Sequence, residues 1–375
     1  MKICFWGNIA GALQGQTDGG GELQIALLAQ ALAKDGHDIV ILDFQTTEDF
    51  VIYERIKVIK LQGWDKGIRV LRSFTHRLPL LYSTLKAQRA DVYYCRIRDF
   101  RHILVYWAAR KVNARFILSL ASDLDAMNFL MRWKYQYRVS LKDLWSFSSG
   151  LLIEFIYPWL LQKADLVLVQ HEGQRQILDG KKIRSVIFPN LIDLAQIPTS
   201  VNKTDSDFIY VGSLDKRKGF DEFFEIVKIA PFYTFKVIGQ PRGDTGYTLY
   251  EKLKLFNNVS LLGRLNHAET MEQISKSKAL ISTSRMEGFP NVFIEAWACG
   301  IPVLSLFVDP GSVIAKEELG IVANGNFNEL LHAMGNFKDL NEFAERAKAY
   351  VDNTHALNTK KVEEISRLFR NILKD

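Results

Sequence analysis

The chain has 375 residues, 48% of them apolar, which on a soft prior of about 150 residues per domain predicts two or three domains with ample cores and excludes a disordered or fibrous chain. Its three cysteines, Cys4, Cys95 and Cys299, are widely spaced among apolar neighbours, which argues against a disulfide or zinc framework and for reduced core thiols of a cytosolic protein. Charge is uneven: residues 1–190 hold 26 Lys and Arg against 18 Asp and Glu, residues 191–375 hold 22 against 24, so the net charge of +6 comes from the amino-terminal half.

Met1-Lys2-Ile3-Cys4-Phe5-Trp6-Gly7 runs straight into a strand and a Gly-rich turn with no signal-peptide cleavage pattern, so the expected location is the cytoplasm. Strand-like runs at Lys2 to Trp6, Asp38 to Phe44, Ile56 to Leu61, Asp91 to Arg96, Arg115 to Leu120, Asp165 to Gln170 and Ser185 to Phe188 are separated by helix-length segments such as Glu22 to Lys34 and Ile103 to Val112. That alternation predicts a parallel sheet with crossover helices. Ile197 to Ser206, bearing Pro, Ser, Thr and Asn, reads as a linker. A second series follows at Asp207 to Val211, Thr234 to Ile238, Val259 to Leu262, Ala279 to Thr283 and Pro302 to Phe307. The expected fold class is α/β, with two Rossmann-like domains facing a central cleft. After about Val322 the pattern is helical only, at Asn328 to Asn336, Leu340 to Val351 and Thr359 to Leu373.

Much of the positive excess falls in Lys66 to Arg115, where Arg69, Arg72, Arg77, Lys86, Arg89, Arg96, Arg98, Arg101, Arg110, Lys111 and Arg115 mix with Trp64, Phe74, Tyr82, Tyr93, Tyr94 and Phe100. A basic face with aromatics suits anionic lipid heads, at about 1 kcal/mol per cation near the surface. A merely solvated helix face is the plainer alternative, and no recognition motif accompanies the charge to suggest nucleic acid. Leu144 to Leu161 approaches spanning length but holds Glu154 and Pro158, which argues against a spanning helix and leaves open a peripheral contact with the inner face of the cell membrane.

Three segments carry candidate chemistry. Gly19-Gly20-Gly21-Glu22 precedes a helix pattern, and its glycines let a backbone approach a phosphate or sugar closely. Asp43 ends the second strand, where an NAD site would place its ribose acid, but Gly7-Asn8-Ile9-Ala10-Gly11-Ala12-Leu13 is not the tight GxGxxG turn and the loop to Gly21 is too long. Lys218 follows a strand end and precedes Gly219, where an ammonium can neutralise a leaving diphosphate; an exposed basic turn, Lys216-Arg217-Lys218, is the alternative. Glu287 lies in a loop after a strand and Glu295 in the following helix, about two turns in. The helix-start amides suit a diphosphate, and the carboxylates can accept hydrogen bonds from sugar and ribose hydroxyls. An ordinary strand, turn and helix with surface acids remains open.

The run Glu287-Gly288-Phe289-Pro290-Asn291-Val292-Phe293-Ile294-Glu295-Ala296-Trp297-Ala298-Cys299-Gly300-Ile301-Pro302-Val303 resembles the EGFPN…E…A…G.PV block of family 4 retaining glycosyltransferases, which have the GT-B fold. Gly19-Gly20-Gly21-Glu22, Phe188-Pro189-Asn190 and Val211-Gly212-Ser213-Leu214-Asp215-Lys216-Arg217-Lys218-Gly219 extend the resemblance in the family's order. It implies an acceptor-side domain at 1–195, a nucleotide-sugar domain at 196–355 and a last helix, 356–375, packing back on the first domain. It also implies transfer of a sugar from a UDP- or GDP-linked donor to an acceptor hydroxyl with retention. Lys218 and Glu287 are then the catalytic pair, with Gly20, Gly21, Ser213, Arg217, Arg264, Gly288, Phe289, Pro290, Asn291 and Glu295 at the donor. The expected acceptor is lipid-linked or a polysaccharide of the cell surface, and neither cofactor nor metal is expected.

Two departures qualify the match. Ser213 stands where the family usually has Arg, and Phe116-Ile117-Leu118-Ser119-Leu120-Ala121-Ser122-Asp123-Leu124-Asp125 lacks the usual His, leaving Ser122 and Asp123, with Asn190, as candidates for the acceptor or sugar pocket. Asp123-Leu124-Asp125 has the form of a DxD metal motif, but in the wrong fold and on the domain opposite the diphosphate anchors. The rival readings are a sugar-nucleotide epimerase of the same architecture and a non-catalytic sugar-nucleotide-binding subunit.

Overall fold

The computed structural model describes residues 1–15, 19–68, 71–127, 144–198, 205–336 and 340–374. Arg69 and most of the expected linker lie outside them. The chain divides into two units, Met1–Pro189 with Leu357–Asp375, and Asn190–Ala356.

Unit 1 is built on strands β1 (Lys2–Trp6), β2 (Asp38–Asp43), β3 (Phe50–Ile52), β4 (Ile56–Lys60), β5 (Val92–Arg96), β6 (Arg115–Ser119), β7 (Leu166–Val169) and β8 (Ser185–Ile187), in the order β3-β4-β2-β1-β5-β6-β7-β8. All pairs are parallel except β3 with β4. Its helices are α1 (Ala10–Leu13), α2 (Gly20–Lys34), α3 (Leu78–Gln88), α4 (His102–Lys111), α5 (Asp123–Ala126), α6 (Leu144–Lys163) and α7 (Glu172–Asp179). The central strands β5 and β7 are buried at every residue, as expected of a parallel sheet covered on both faces. The antiparallel edge strand β3 is absent from the sequence reading.

Unit 2 carries β9 (Ser206–Val211), β10 (Phe235–Ile238), β11 (Val259–Gly263), β12 (Ser277–Ser282), β13 (Val303–Ser305) and β14 (Gly320–Val322), in the order β11-β10-β9-β12-β13-β14, all parallel. Helices α8 (Phe220–Ile229), α9 (Gly243–Leu253), α10 (His267–Ser275), α11 (Asn291–Ala298), α12 (Val313–Lys316), α13 (Phe327–Gly335) and α14 (Leu340–Thr354) flank it. Alternate residues of β9 feed two cores: Phe208 and Tyr210 pack with Phe223 and Phe235, whereas Ile209 packs with Phe293 and Trp297.

After Ala356 the chain returns to unit 1, where α15 (Thr359–Asn371) packs on α2. Phe369 is fully buried, with its ring 6.4 Å from that of Tyr94, and Ser366 Oγ meets His37 Nε2 at 3.1 Å. Among the described residues no helix is long and apolar enough to cross a membrane.

The basic run of the first half does not form one surface. Arg96 is 4% exposed, and Arg98 is bound to Glu154 at 2.6 Å. Arg101 pairs with Asp99 and lies over the rings of Trp6, Phe44 and Trp64. Arg110 and Arg115 share Asp165, and Trp64, Tyr93 and Tyr94 belong to the core. The physical reason is the sheet: β5 turns Tyr93, Tyr94 and Arg96 inward, so a charge count along the sequence overstates what faces solvent.

Truncating Phe369 to Ala should destabilise unit 1 by about 3–5 kcal/mol through a cavity beneath α15. A urea titration of the full chain followed by tryptophan fluorescence measures it.

Candidate functional site

The order of the second sheet fixes where a ligand can enter. From β9 the chain moves outward through β10 and β11, then returns to β12 on the other side of β9, so β9 and β12 form the topological switch point whose carboxyl ends open a crevice. Lys218 follows β9 and Glu287 follows β12, and their side chains meet there, Nζ donating to Oε1. Lys218 is about one-third exposed and Glu287 less, so the pair is reachable from solvent.

Local chemistry holds Lys218 in place. Asp215 caps the short turn Lys216–Lys218, its Oδ1 accepting from the amides of Arg217 and Lys218 at 2.9 and 3.2 Å. The Lys218 carbonyl accepts from Tyr210 Oη and Thr283 Oγ1, both at 3.1 Å. Gly219 ends the turn at φ 65°, and a Cβ on it would stand 1.9 Å from the carbonyl oxygen of Thr283. Only glycine allows that approach. Ser213 and Arg217 both bond Asp215, at 2.9 and 3.1 Å, and the Arg217 side chain is largely exposed. Arg264, just after β11, is also exposed.

The Glu287 loop is fixed from behind. Asn190, 3% exposed, donates both amide hydrogens to the loop, to Phe289 O and to Asn291 Oδ1, each at 2.8 Å. Its own carbonyl meets His355 Nδ1 at 2.7 Å, and the buried His355 ring lies 5.0 Å from that of Phe289. Asn190 is therefore a positioning residue of the loop rather than a lining residue of a pocket. Helix α11 begins at Asn291 with Pro290 as its cap residue, which offers no side-chain acceptor, so the positive end of the helix lies beside Gly288 and Phe289. Pro290 itself has no N–H to give. Glu295 is one turn into this eight-residue helix, not two, and its Oε1 lies 3.2 Å from Nε2 of His267 at the start of α10. That hydrogen bond, set against partial burial, holds His267 above its ordinary value of 6.5.

Unit 1 has its own switch point, between β1 and β5. Gly20 and Gly21 form the first turn of α2, and a Cβ on Gly21 would stand 2.6 Å from Cδ1 of Ile97, just beyond β5. Ile97 has φ 65°, a strained conformation for a β-branched residue. Past β6, Ser122 caps α5 and Asp125 completes the capping box, its Oδ2 accepting from the amides of Ala121 and Ser122. Burial holds the Asp125 carboxyl above its usual range. Asp123 Oδ1 takes hydrogen bonds from His171 Nε2 and Gln174 Nε2, both at 2.8 Å. The two aspartates thus point to different partners, and among the described residues no three His, Cys, Asp or Glu are placed to hold a metal. Asp43 is 1% exposed and accepts four main-chain amides, those of Ile9, Ala10, Gln45 and Thr46, which leaves nothing for a cofactor ribose.

Sequence reasoning missed His171, His267 and His355. Their partners Asp123, Glu295 and Asn190 lie 28 to 165 positions away, and it was these partners, not the histidines, that stood in the candidate segments.

Residues 195–354, within unit 2 and spanning both the Lys218 and Glu287 loops, match the family described as Glycosyl transferases group 1. A Klebsiella pneumoniae protein, described as an uncharacterized 41.2 kDa protein in the cps region, is 29% identical over 163 residues, covering 43% of this chain and 40% of that protein. The chain thus spans under half the length of that relative. An uncharacterized glycosyltransferase of Methanocaldococcus jannaschii is 26% identical over 284 residues, 68% of this chain and 69% of that protein. Sucrose-phosphate synthase from Thermosynechococcus elongatus matches in structure with a TM-score of 0.77 over 100% of this chain and 99% of that one, at 16% identity. The fold is GT-B, α/β with two parallel-sheet Rossmann-like units, and unit 2 carries the group 1 glycosyl transferase pattern.

Gly219→Ala should cost at least about 1–3 kcal/mol from overpacking against Thr283, with the added strain of a positive φ. A denaturant midpoint shift at unchanged slope is the expected signature.

The His267 to Glu295 pair gives a pH dependence of defined sign. Because the folded pKa of His267 is raised, its contribution to stability is complete below 6.5 and disappears as pH rises through the folded value. The stability difference between the parent and His267→Gln should therefore shrink across that window, as measured by unfolding titrations at successive pH values.

Proposed function

We propose that the chain is a retaining glycosyltransferase of the family 4 type, moving a sugar from a UDP- or GDP-linked donor to an acceptor hydroxyl in the assembly of cell-surface polysaccharide or glycolipid. The observation that carries this reading is the contact of Lys218 with Glu287 at the carboxyl ends of β9 and β12, beside the start of α11. A cation and a helix amino-terminus suit the diphosphate of a nucleotide sugar, and a carboxylate at the same crevice suits its sugar hydroxyls.

In this mechanism the donor phosphates displace Glu287 from part of its hold on Lys218. The bond from the anomeric carbon to the phosphate oxygen breaks, and negative charge grows on the leaving diphosphate. Lys218 and the amides at the start of α11 stabilise that charge. Glu287 accepts hydrogen bonds from sugar hydroxyls, and Glu295, shared with His267, accepts from the ribose. The acceptor hydroxyl attacks on the face that the leaving group vacates and gives its proton to the departing phosphate oxygen. No protein nucleophile enters.

The surface-glycan setting is supported by the Klebsiella relative, whose description sets it in a cps region. The cytoplasmic side of a membrane, with a lipid-linked or polysaccharide acceptor, is the setting proposed. Ser213, which lacks the positive charge of Arg and bonds Asp215, favours a second reading as a non-catalytic nucleotide-sugar binder. Incubation with UDP- and GDP-sugars, followed by nucleotide and glycan analysis, separates the two: turnover supports the transferase, and saturable binding without turnover supports the binder.

Lys218→Ala should lower kcat by about 10²–10³ with a smaller effect on donor KM, since its charge is used mainly as the diphosphate leaves. Near-normal kcat in that variant would remove Lys218 from the mechanism.

If Lys218 and the helix start carry the diphosphate charge, activity should survive excess EDTA. Loss in EDTA with recovery on adding Mn²⁺ or Mg²⁺ would assign that charge to a metal instead.

A further inference from the structure

Asp221 and Glu222, in the first turn of α8, take no part in the mechanism above. Glu222 is 8% exposed, and a carboxylate buried this far is costly without a cation beside it. Among the described residues the cation that answers both acids is Arg285, in the loop after β12: its Nη2 meets Glu222 Oε1 and lies 4.0 Å from Asp221 Oδ2. We propose that Arg285 is a positioning residue that keeps the Glu287 loop docked on the Lys218 turn while Lys218 exchanges Glu287 for the donor diphosphate; this rests on the glycosyltransferase reading above.

The contacts alternate along the loop. Thr283 Oγ1 donates to the carbonyls of Lys218 and Gly219, Arg285 pairs with Asp221 and Glu222, and Glu287 accepts from Lys218. Every second residue from 283 to 287 thus reaches the segment 218–222, the step at which side chains of an extended segment share a face.

These contacts differ in what the donor does to them. Lys218 has one carboxylate partner among the described residues, Glu287, and donor phosphates compete for that ammonium. The tie between loop and turn is therefore weakest when Glu287 must hold the sugar. Arg285 keeps its hold through that exchange, because two acids and a ring secure its guanidinium: the central carbon lies 5.7 Å from the centroid of Phe307, just past β13. Glu222 Oε2 and Asp221 Oδ1 are buried with no hydrogen-bond partner among the described residues, so no second donor offsets the loss of Arg285. Glu287 then stands between two anchors, Arg285 two residues before it and Phe289, held by Asn190, two residues after it.

The test compares the parent with Arg285→Gln, Arg285→Lys, Glu222→Gln and the double variant Arg285→Gln with Glu222→Gln. Donor kcat and KM and the affinity for UDP and GDP are measured, with thermal melts to verify folding. Arg285→Gln should lower kcat by about tenfold or more while nucleotide affinity changes by less than about threefold, because the loss is in aiming Glu287 and not in holding the nucleotide. Arg285→Lys, which keeps the charge without the planar fork, should recover part of kcat. The double variant should match Arg285→Gln, since both changes break the same contact. If Arg285→Gln does not fold, Glu222→Gln, which keeps the shape of its side chain, carries the same comparison. Unchanged kcat, additive losses in the double variant, or an equal loss of nucleotide affinity, which would make Arg285 a donor contact, would overturn the proposal. A parent that turns over no donor would instead defeat the transferase reading. Hydrogen–deuterium exchange of amides 285–288 then decides without a donor: in a Lys218→Met background, which removes the resting tie, Arg285→Gln should speed exchange there by about tenfold or more, and an unchanged rate overturns the proposal.

Discussion

The contact between the Gly219 backbone and the Thr283 carbonyl sets the geometry on which the rest of unit 2 depends. These two positions end the paths of β9 and β12, strands adjacent in the sheet but separated by more than 60 residues of chain. With no side chain between them, the turn that carries Lys218 settles directly on the strand that leads to Glu287. Thr283 adds hydrogen bonds to the carbonyls of Lys218 and Gly219, so the close approach is polar as well as steric. Two charged side chains that meet at one crevice follow from that packing.

A second layer keeps the acidic loop aimed. Asn190 and His355 stand at the two ends of unit 2 in sequence and meet beneath Phe289. Both are buried: the Asn190 side-chain amide is spent on the loop, and its main-chain carbonyl on Nδ1 of His355. A residue of this sort acts on a ligand only through the loop it holds. Asp43 has the same character in unit 1, where a single carboxylate joins two loops.

The sheets were legible in the sequence because buried parallel strands leave continuous apolar runs, such as residues 92–95 and Leu166–Val169. The short strands β3 and β14 were not read. Within unit 2, Lys218 stood in one short local pattern of Gly and charge, and Glu287 with the start of α11 in another that adds Pro. The histidines that pair with Asp123, Glu295 and Asn190 left no such trace, because nothing local distinguishes His171, His267 or His355 from a surface imidazole. The basic run misled for the opposite reason: its charges are real, but several are answered by acids far along the chain, Glu154 and Asp165 among them.

The discontinuity of unit 1 bears on how the protein is made. Its sheet is encoded before unit 2, yet the helix that covers Tyr94 and meets His37 is encoded after all of unit 2. On the ribosome, unit 2 can close as one uninterrupted segment, whereas unit 1 must wait with an apolar face uncovered until α15 emerges. During that interval the nascent chain presents a surface that a chaperone would recognise, and the emergence of α15, not completion of the first sheet, times the closing of unit 1.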